Sequence, residues 1–183
     1  MVNQMAVKII YFVHGTTTDN IEKLASGWNQ AELSKKGIEQ SIALREQINF
    51  DEIDLVISSD LKRAQDSANY VFENKKEIFY DSRIRECNYG DLNGKSSVLV
   101  KYEDHINNPF PNGESLLDVE KRVRDFCDYL LENYDNKTIA IVAHKAPQLA
   151  IEVITMNKTW EQAINDDWRL KKQWQPGWRY EIK

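Results

Sequence analysis

The chain alternates between short runs of apolar, often β-branched residues and longer stretches in which apolar residues recur every three or four positions. The short runs indicate strands and the longer stretches indicate helices. Strands are predicted at 7–11, 54–58, 78–80 and 139–143. Helices are predicted at 34–48, 61–72, 115–130 and 146–155. Strands that alternate with helices are typical of an α/β fold, with a mostly parallel central sheet and helices on both faces.

Two of the predicted helices have recognisable start signals. Ser34 is the expected N-cap of the first. The residues expected on one face of that helix are Ile38, Ile42 and Ile48. Ser115 and Asp118 have the spacing of a capping box, and they open the clearest amphipathic stretch of the chain.

The pattern breaks between Arg83 and Gly113, where glycines and prolines interrupt it. A long irregular stretch in a compact domain is more often functional than accidental, so residues 88–113 are expected to cover the substrate. The last part of the chain holds four of the five tryptophans and is expected to cover the core rather than to hold a cofactor. Because no repeat, linker or low-complexity segment interrupts the sequence, residues 1–183 are predicted to form one domain.

Composition changes this picture mainly by exclusion. With a net charge of −5, the protein is not expected to have a broad electrostatic attraction to nucleic acid or to anionic membranes. No run of roughly eighteen apolar residues is present, and residues 1–6 are too polar for a signal peptide, so we expect a cytoplasmic protein. Cys87 and Cys127 have neither CxxC spacing nor histidines at metal-ligand intervals. We therefore expect reduced thiols. The sequence also has no carboxylate or histidine cluster at metal-ligand spacing, so we expect no metal, and we predict no cofactor.

Candidate chemistry lies at the ends of the predicted strands. His14 and His144, two of the three histidines, each lie just past a predicted strand, and a third strand ends shortly before Arg63. Because the carboxyl ends of parallel strands meet at one edge of a sheet, these side chains should share a cleft. Imidazoles, a guanidinium and helix N–H groups suit a phosphoryl group, which a neutral histidine can attack and hold covalently. Glu86 is the candidate acid that protonates the leaving oxygen.

Six segments in this order resemble signatures of the histidine phosphatase (phosphoglycerate mutase-like) superfamily, and together they span almost the whole chain. They are similar to its RHGxTxxN, LTxxGxxQA, SSxLxRA and PxGES segments, to its acid loop and to its second histidine. The matching residues are His14-Gly15-x-Thr17-x-x-Asn20, Leu33-Ser34-x-x-Gly37-x-x-Gln40, Ser58-Ser59-x-Leu61-x-Arg63-Ala64, Arg85-Glu86-x-x-Tyr89-Gly90-x-x-x-Gly94, Pro111-x-Gly113-Glu114-Ser115 and His144.

The resemblance implies the fold and the site residues. The fold would be the three-layer sandwich of phosphoglycerate mutase-like proteins. His14 would be the phosphorylated nucleophile, with Arg63 and His144 binding the phosphoryl oxygens. Glu86 would be the proton donor. Two further residues, Thr17 and Asn20, would shape the phosphate pocket.

Two positions depart from the family's motifs. Val13 stands where the family has arginine before the nucleophile, which removes one phosphate-binding guanidinium. Lys145 stands where the acid-phosphatase branch has aspartate, so the branch that uses a glutamate acid fits better. Lys145 is also the candidate to replace part of the lost positive charge, either as a phosphate ligand or, equally well, as a solvated lysine.

The resemblance implies a metal-independent phosphomonoester hydrolase that acts on a small phosphorylated metabolite through a phosphohistidine. Two alternatives stay open. A degenerate, non-catalytic domain could bind a phosphorylated ligand or a protein, and Val13 is the main argument for it. A mutase would return the phosphoryl group to its substrate. Whether the protein forms a homodimer also stays open. The role of Glu114 stays open too, because this residue could pack beneath the site or contact the substrate.

Overall fold

The computed structural model describes residues 5–183 of the chain. Its strands are β1 (Val7–Val13), β2 (Leu24–Ala25), β3 (Leu55–Ser58), β4 (Ile78–Tyr80), β5 (Lys95–Ser96), β6 (Thr138–Ala143) and β7 (Trp178–Ile182). Its α-helices are α1 (Thr18–Ile21), α2 (Lys35–Arg45), α3 (Lys62–Phe72), α4 (Leu116–Asn133), α5 (Lys145–Met156), α6 (Trp160–Asp166) and α7 (Trp168–Lys171). Short 3-10 turns lie at Phe50–Glu52, Ser82–Ile84, Gly90–Leu92, Ser97–Leu99 and Tyr102–His105.

A five-stranded sheet with the order β4-β3-β6-β1-β7 forms the centre of the fold. In this order, β4, β3, β6 and β1 are parallel to one another, and β7 pairs antiparallel with β1 at the edge. This arrangement confirms the predicted α/β fold with a mostly parallel sheet. The edge strand β7 was missed, because an antiparallel strand inside the tryptophan-rich tail has no helical partner in the alternating pattern.

Successive residues of β1 point to opposite faces of the sheet, as the pleat requires. Ile9 and Tyr11 belong to the larger core, which α4 and α5 cover. Ile10 and Phe12 belong to a second core on the other face, which α2 and α3 cover. The sheet is therefore buried between two layers of helices. The polar residues that can contact a ligand lie at its carboxyl edge.

The prediction for α2 is confirmed in part. Ser34 is its N-cap, as expected, and accepts the N–H of Gly37, and Ile48 packs against the second core. The helix ends at Arg45 rather than near Ile48, and Ile42 is half exposed rather than buried. The buried residues of this helix are Gly37, Ser41 and Leu44. A side chain on Gly37 would overlap the carbonyl of Thr16, so contact with the loop after β1, rather than the isoleucine spacing, sets the buried face.

The remaining helix predictions differ from the structure mainly at their ends. The α3 and α5 boundaries agree with the sequence to within one or two residues, and Ser115 and Asp118 form the expected capping box at α4. Residues 88–113 consist of short turns and of β5, which pairs with β2. Residues 1–4, part of the segment judged too polar for a signal peptide, lie outside the described residues. Within 5–183, none of the helices has the length and apolar character needed to cross a membrane.

Candidate active site

The carboxyl ends of three neighbouring strands bring the predicted residues together. His14 follows β1, and its ring centroid lies 5.1 Å from that of His144, which follows β6. Arg63 lies in the first turn of α3, just after β3. Together with Glu86, these residues border one cavity of about 720 Å³. The sequence therefore identified a real spatial cluster, although its chemistry remains a proposal.

The hydrogen bonds of His14 define its tautomer. Its Nδ1 lies 2.8 Å from the carbonyl oxygen of Gly15, which can only accept, so Nδ1 carries the proton. Arg63 donates its Nε–H to the other nitrogen, Nε2, at 3.3 Å. Burial among protein groups and the charge of Arg63 lower the pKa of His14 to about 3. The imidazole is therefore neutral near pH 7, and its Nε2 lone pair accepts the hydrogen bond from Arg63.

His144 is fully buried and leaves one ring nitrogen available. Its Nε2 lies 2.8 Å from the hydroxyl oxygen of Ser59, which also accepts the N–H of Leu61. The His144 Nδ1 has no hydrogen-bond partner among residues 5–183. In the tautomer in which the Ser59 hydroxyl donates to Nε2, this Nδ1 carries the ring proton. Burial, followed by the charge of Arg63, holds the pKa of His144 well below its usual range. The ring is therefore neutral, and in that tautomer its unpartnered Nδ1–H can donate to a ligand.

Backbone carbonyls fix the orientation of Arg63. Its Nη1 donates to Asn29 and its Nη2 donates to Gly27, both on the loop that follows β2. The side chain is almost fully buried. A buried guanidinium held by neutral acceptors keeps its full charge available to an anion in the cavity.

The Glu86 carboxylate lies at the N-terminus of α5. Its Oε1 accepts the N–H groups of Cys87 and Ala146, at 2.9 and 3.0 Å, and the hydroxyl of Tyr102 at 3.3 Å. Among residues 5–183, its Oε2 accepts only the N–H of Lys145, at 3.2 Å. Oε2 therefore has a lone pair that can accept a transferred proton.

Arg122 holds the loop that carries Glu86. From α4, its guanidinium donates to the carbonyls of Arg83, Arg85 and Glu86 and pairs with the carboxylate of Glu114. Glu114 also accepts the N–H of Asn88 and does not border the cavity, so it supports the loop from beneath rather than contacting a substrate. Sequence reasoning missed Arg122, because its spacing is that of any surface arginine on an amphipathic helix.

The loop after β1 is tied down by its own side chains. Thr17 accepts the N–H of Asn20, and the Asn20 side chain accepts the N–H of Thr17, so the two form a capping box for α1. Asn20 borders the cavity, whereas Thr17 is fully buried and does not. Thr17 can therefore shape the phosphate pocket only through Asn20. Gln40 of α2 accepts the N–H of Thr16 and anchors the loop from the other side.

Both regions that the sequence left without regular structure contribute to the cavity wall. Tyr89 and Tyr102 come from the irregular region, and Trp168, Trp174 and Trp178 come from the C-terminal segment. Among the described residues, no three His, Cys, Asp or Glu side chains are grouped so as to hold a metal ion. Both cysteines are free and buried.

Comparison with known proteins decides the family. A profile of the histidine phosphatase superfamily (branch 1) matches residues 10–170. The chain belongs to this superfamily. Its relatives within the superfamily include both phosphatases and mutases.

Three similarities illustrate this range. The chain is 29% identical over 156 residues to phosphoserine phosphatase 1 of Hydrogenobacter thermophilus, covering 79% of this chain and 74% of the relative. It is 27% identical over 171 residues to a 2,3-bisphosphoglycerate-dependent phosphoglycerate mutase of Bartonella tribocorum, covering 81% and 82%. The structure of the alpha-ribazole phosphatase from Shigella flexneri superposes with a TM-score of 0.76 at 25% identity, covering 86% of this chain and 84% of that one.

The two positions that depart from the superfamily's motifs, Val13 and Lys145, both border the cavity. Val13 borders the cavity without offering a donor. The Lys145 ammonium lies 3.2 Å from Asp167 Oδ2, without hydrogen-bond alignment, and 4.6 Å from the ring centroid of Tyr102. Lys145 is thus neither a freely solvated lysine nor an uncommitted cation. Its role as a phosphate ligand stays a prediction.

Proposed function

We propose that the protein is a phosphomonoester hydrolase that acts through a phosphohistidine at His14. One observation carries this proposal: His14 is neutral, its proton is on Nδ1, and its Nε2 lone pair adjoins a buried arginine. A nucleophilic imidazole needs that protonation state, and a phosphoryl anion needs the positive charge beside it.

In the first step, His14 Nε2 attacks phosphorus and the bond from phosphorus to the leaving oxygen breaks. The protonated Glu86 carboxyl gives its proton to that oxygen, so the leaving group departs as an alcohol. Arg63 and the free Nδ1–H of His144 stabilise the charge that spreads over the phosphoryl oxygens. His14 is now phosphorylated and Glu86 is a carboxylate.

In the second step, Glu86 takes a proton from water and the water oxygen attacks phosphorus. The bond between phosphorus and Nε2 breaks, its electron pair returns to His14, and inorganic phosphate leaves. Glu86 is again protonated, so the cycle is balanced without a metal or another reactant. The four residues border one cavity, which supports these roles and weighs against a degenerate binding domain.

The decisive experiment is a screen of small phosphorylated metabolites, with phosphate release as the readout and product analysis by mass. Release by the wild type that is lost in His14→Ala supports the proposal. Release that persists in this variant contradicts it. A phosphoryl group that moves within the substrate without release indicates the mutase alternative, and phosphate binding without turnover of any substrate indicates the non-catalytic alternative.

A further inference from the structure

The C-terminal segment brings a second arginine to the wall of the catalytic cavity. Arg169, in α7, borders the same cavity as Val13, His14 and His144. The motifs do not include it, and no step of the proposed mechanism uses it. It nevertheless borders the same cavity as Val13, whose side chain offers no donor.

Three neighbours hold the Arg169 guanidinium in place. Its Nη1 donates to Asp167 Oδ1 at 3.0 Å, and its Nη2 donates to Gln148 Oε1 at 3.1 Å. Its central carbon lies 4.3 Å from the ring centroid of Trp168, at stacking distance. Because Asp167 and Gln148 are both buried, the guanidinium is preorganised rather than mobile.

Gln148 connects Arg169 to the second histidine. His144 is the N-cap of α5, and Gln148 follows four residues later, so both lie on the same face of the helix one turn apart. The charge of Arg169 also acts on the site: after burial and Arg63, it contributes to the lowered pKa values of both His14 and His144. Two independent features, the shared cavity wall and the helix face, thus put this cation beside the two imidazoles.

Arg169 still has donors to offer. A guanidinium carries five N–H groups, and within residues 5–183 only Asp167 and Gln148 accept from that of Arg169. Asp167 does not border the cavity, so it holds the arginine from behind and leaves the charge facing inward. Lys145 pairs with the same carboxylate, but an ammonium is a point charge and lacks the fork that matches two phosphoryl oxygens.

We propose that Arg169 is a phosphate-binding residue, whose free N–H groups bind the oxygens of the phosphoryl group in place of the guanidinium that Val13 does not supply. The ligand is a tetrahedral phosphoryl oxyanion. This inference rests on the proposed function, because it assigns Arg169 to the pocket in which His14 would be phosphorylated.

The test measures binding of inorganic phosphate to the full-length protein by titration calorimetry, which requires no turnover. Arg169→Gln should weaken binding by about 10- to 100-fold, as expected for the loss of charge-assisted hydrogen bonds. Arg169→Lys should recover only part of that loss. Arg179→Gln is the matched control, because this arginine is exposed on β7 and pairs with Glu52. Because an exposed ion pair contributes little, the phosphate affinity of Arg179→Gln should stay within about two-fold of the wild type.

A rescue experiment separates a phosphate ligand from a mere anchor of the C-terminal segment. Val13→Arg adds a guanidinium to the cavity without restoring any contact of Arg169 with Asp167 or Gln148. In the Arg169→Gln background it should therefore recover about tenfold or more in affinity, and in the wild type it should add much less. Should Arg169→Gln fail to fold, the charge-neutral pair Asp167→Asn with Arg169→Gln replaces it in the same comparison.

The outcomes are distinct. Unchanged phosphate affinity in Arg169→Gln, an equal gain from Val13→Arg in both backgrounds, or no phosphate binding by the wild type each overturns the proposal. Arg169-dependent binding in a protein that hydrolyses none of the screened metabolites supports this inference and contradicts the proposed hydrolase function, so the two can fail separately.

Discussion

Arg63 donates its Nε–H to His14 Nε2, the nitrogen that the proton on Nδ1 leaves free to attack phosphorus. Burial, followed by the charge of Arg63, keeps the imidazole neutral. In the proposed mechanism, the guanidinium loses this acceptor when phosphorus approaches Nε2 and gains phosphoryl oxygens in exchange. We therefore expect Arg63 both to prepare the nucleophile and to bind the phosphoryl group.

This relationship predicts a covalent intermediate on His14. A rapid quench with labelled substrate should yield a phosphoprotein that is stable in base and labile in acid, as a phosphohistidine is. Arg63→Ala should slow its formation by about 10²- to 10³-fold, since a preorganised charge is lost, and Arg63→Lys should recover part of the rate. Label that persists at the wild-type level in His14→Ala would show that another residue is phosphorylated.

The position of Glu86 predicts a dependence on the leaving group. Glu86→Gln cannot donate a proton, so it should lower kcat by about 10²- to 10⁴-fold with alkyl phosphates, whose leaving groups are poor. An activated aryl phosphate departs without protonation and should be affected far less. Glu114→Gln is an informative comparison, because Glu114 supports the loop through Arg122 and the Asn88 N–H without bordering the cavity. Its loss should slow both substrates alike. Equal losses on both substrates in Glu86→Gln would mean that the proton comes from elsewhere.

The sequence predicted those parts of the site that depend on local structure. His14 and His144 were found because each ends a strand, and Arg63 because a helix begins just before it. The predicted burial of Ile42 was wrong because helical spacing contains no information about how closely Gly37 approaches the loop after β1.

Arg122 and Arg169 show the other limit of sequence reasoning. Each acts through residues far away in the chain, Arg122 on the carbonyls of 83–86 and Arg169 on Gln148. Neither has a local pattern that distinguishes it from a solvated arginine. Lys145, by contrast, attracted attention through its neighbour His144, yet its ammonium is already paired with Asp167.

The cations of the site predict activity without a divalent ion. Arg63 supplies the positive charge that the phosphoryl oxygens need, and His144 Nδ1–H supplies a hydrogen-bond donor in the proposed mechanism. Treatment with a chelator followed by dialysis should therefore leave kcat unchanged, within about two-fold, since no reacting group is removed. Addition of Mg²⁺, Mn²⁺ or Zn²⁺ to the treated enzyme should not raise the rate. Activity that returns only with one of these ions would contradict the mechanism.

The buried histidines predict that the protein loses stability in mild acid. His144 titrates near pH 6.5 when unfolded, whereas burial and Arg63 hold its folded pKa well below that. Below pH 6.5 the unfolded chain therefore binds more protons, and the free energy of unfolding falls by up to about 1.4 kcal/mol per pH unit for this residue. Denaturant titrations between pH 7 and 4 should show a shallower slope for His144→Gln than for the wild type. Tyr11→Phe, which disturbs the His144 backbone without removing an imidazole, should lower stability but keep the wild-type slope. Equal slopes for His144→Gln and the wild type would mean that His144 is protonated in the folded protein.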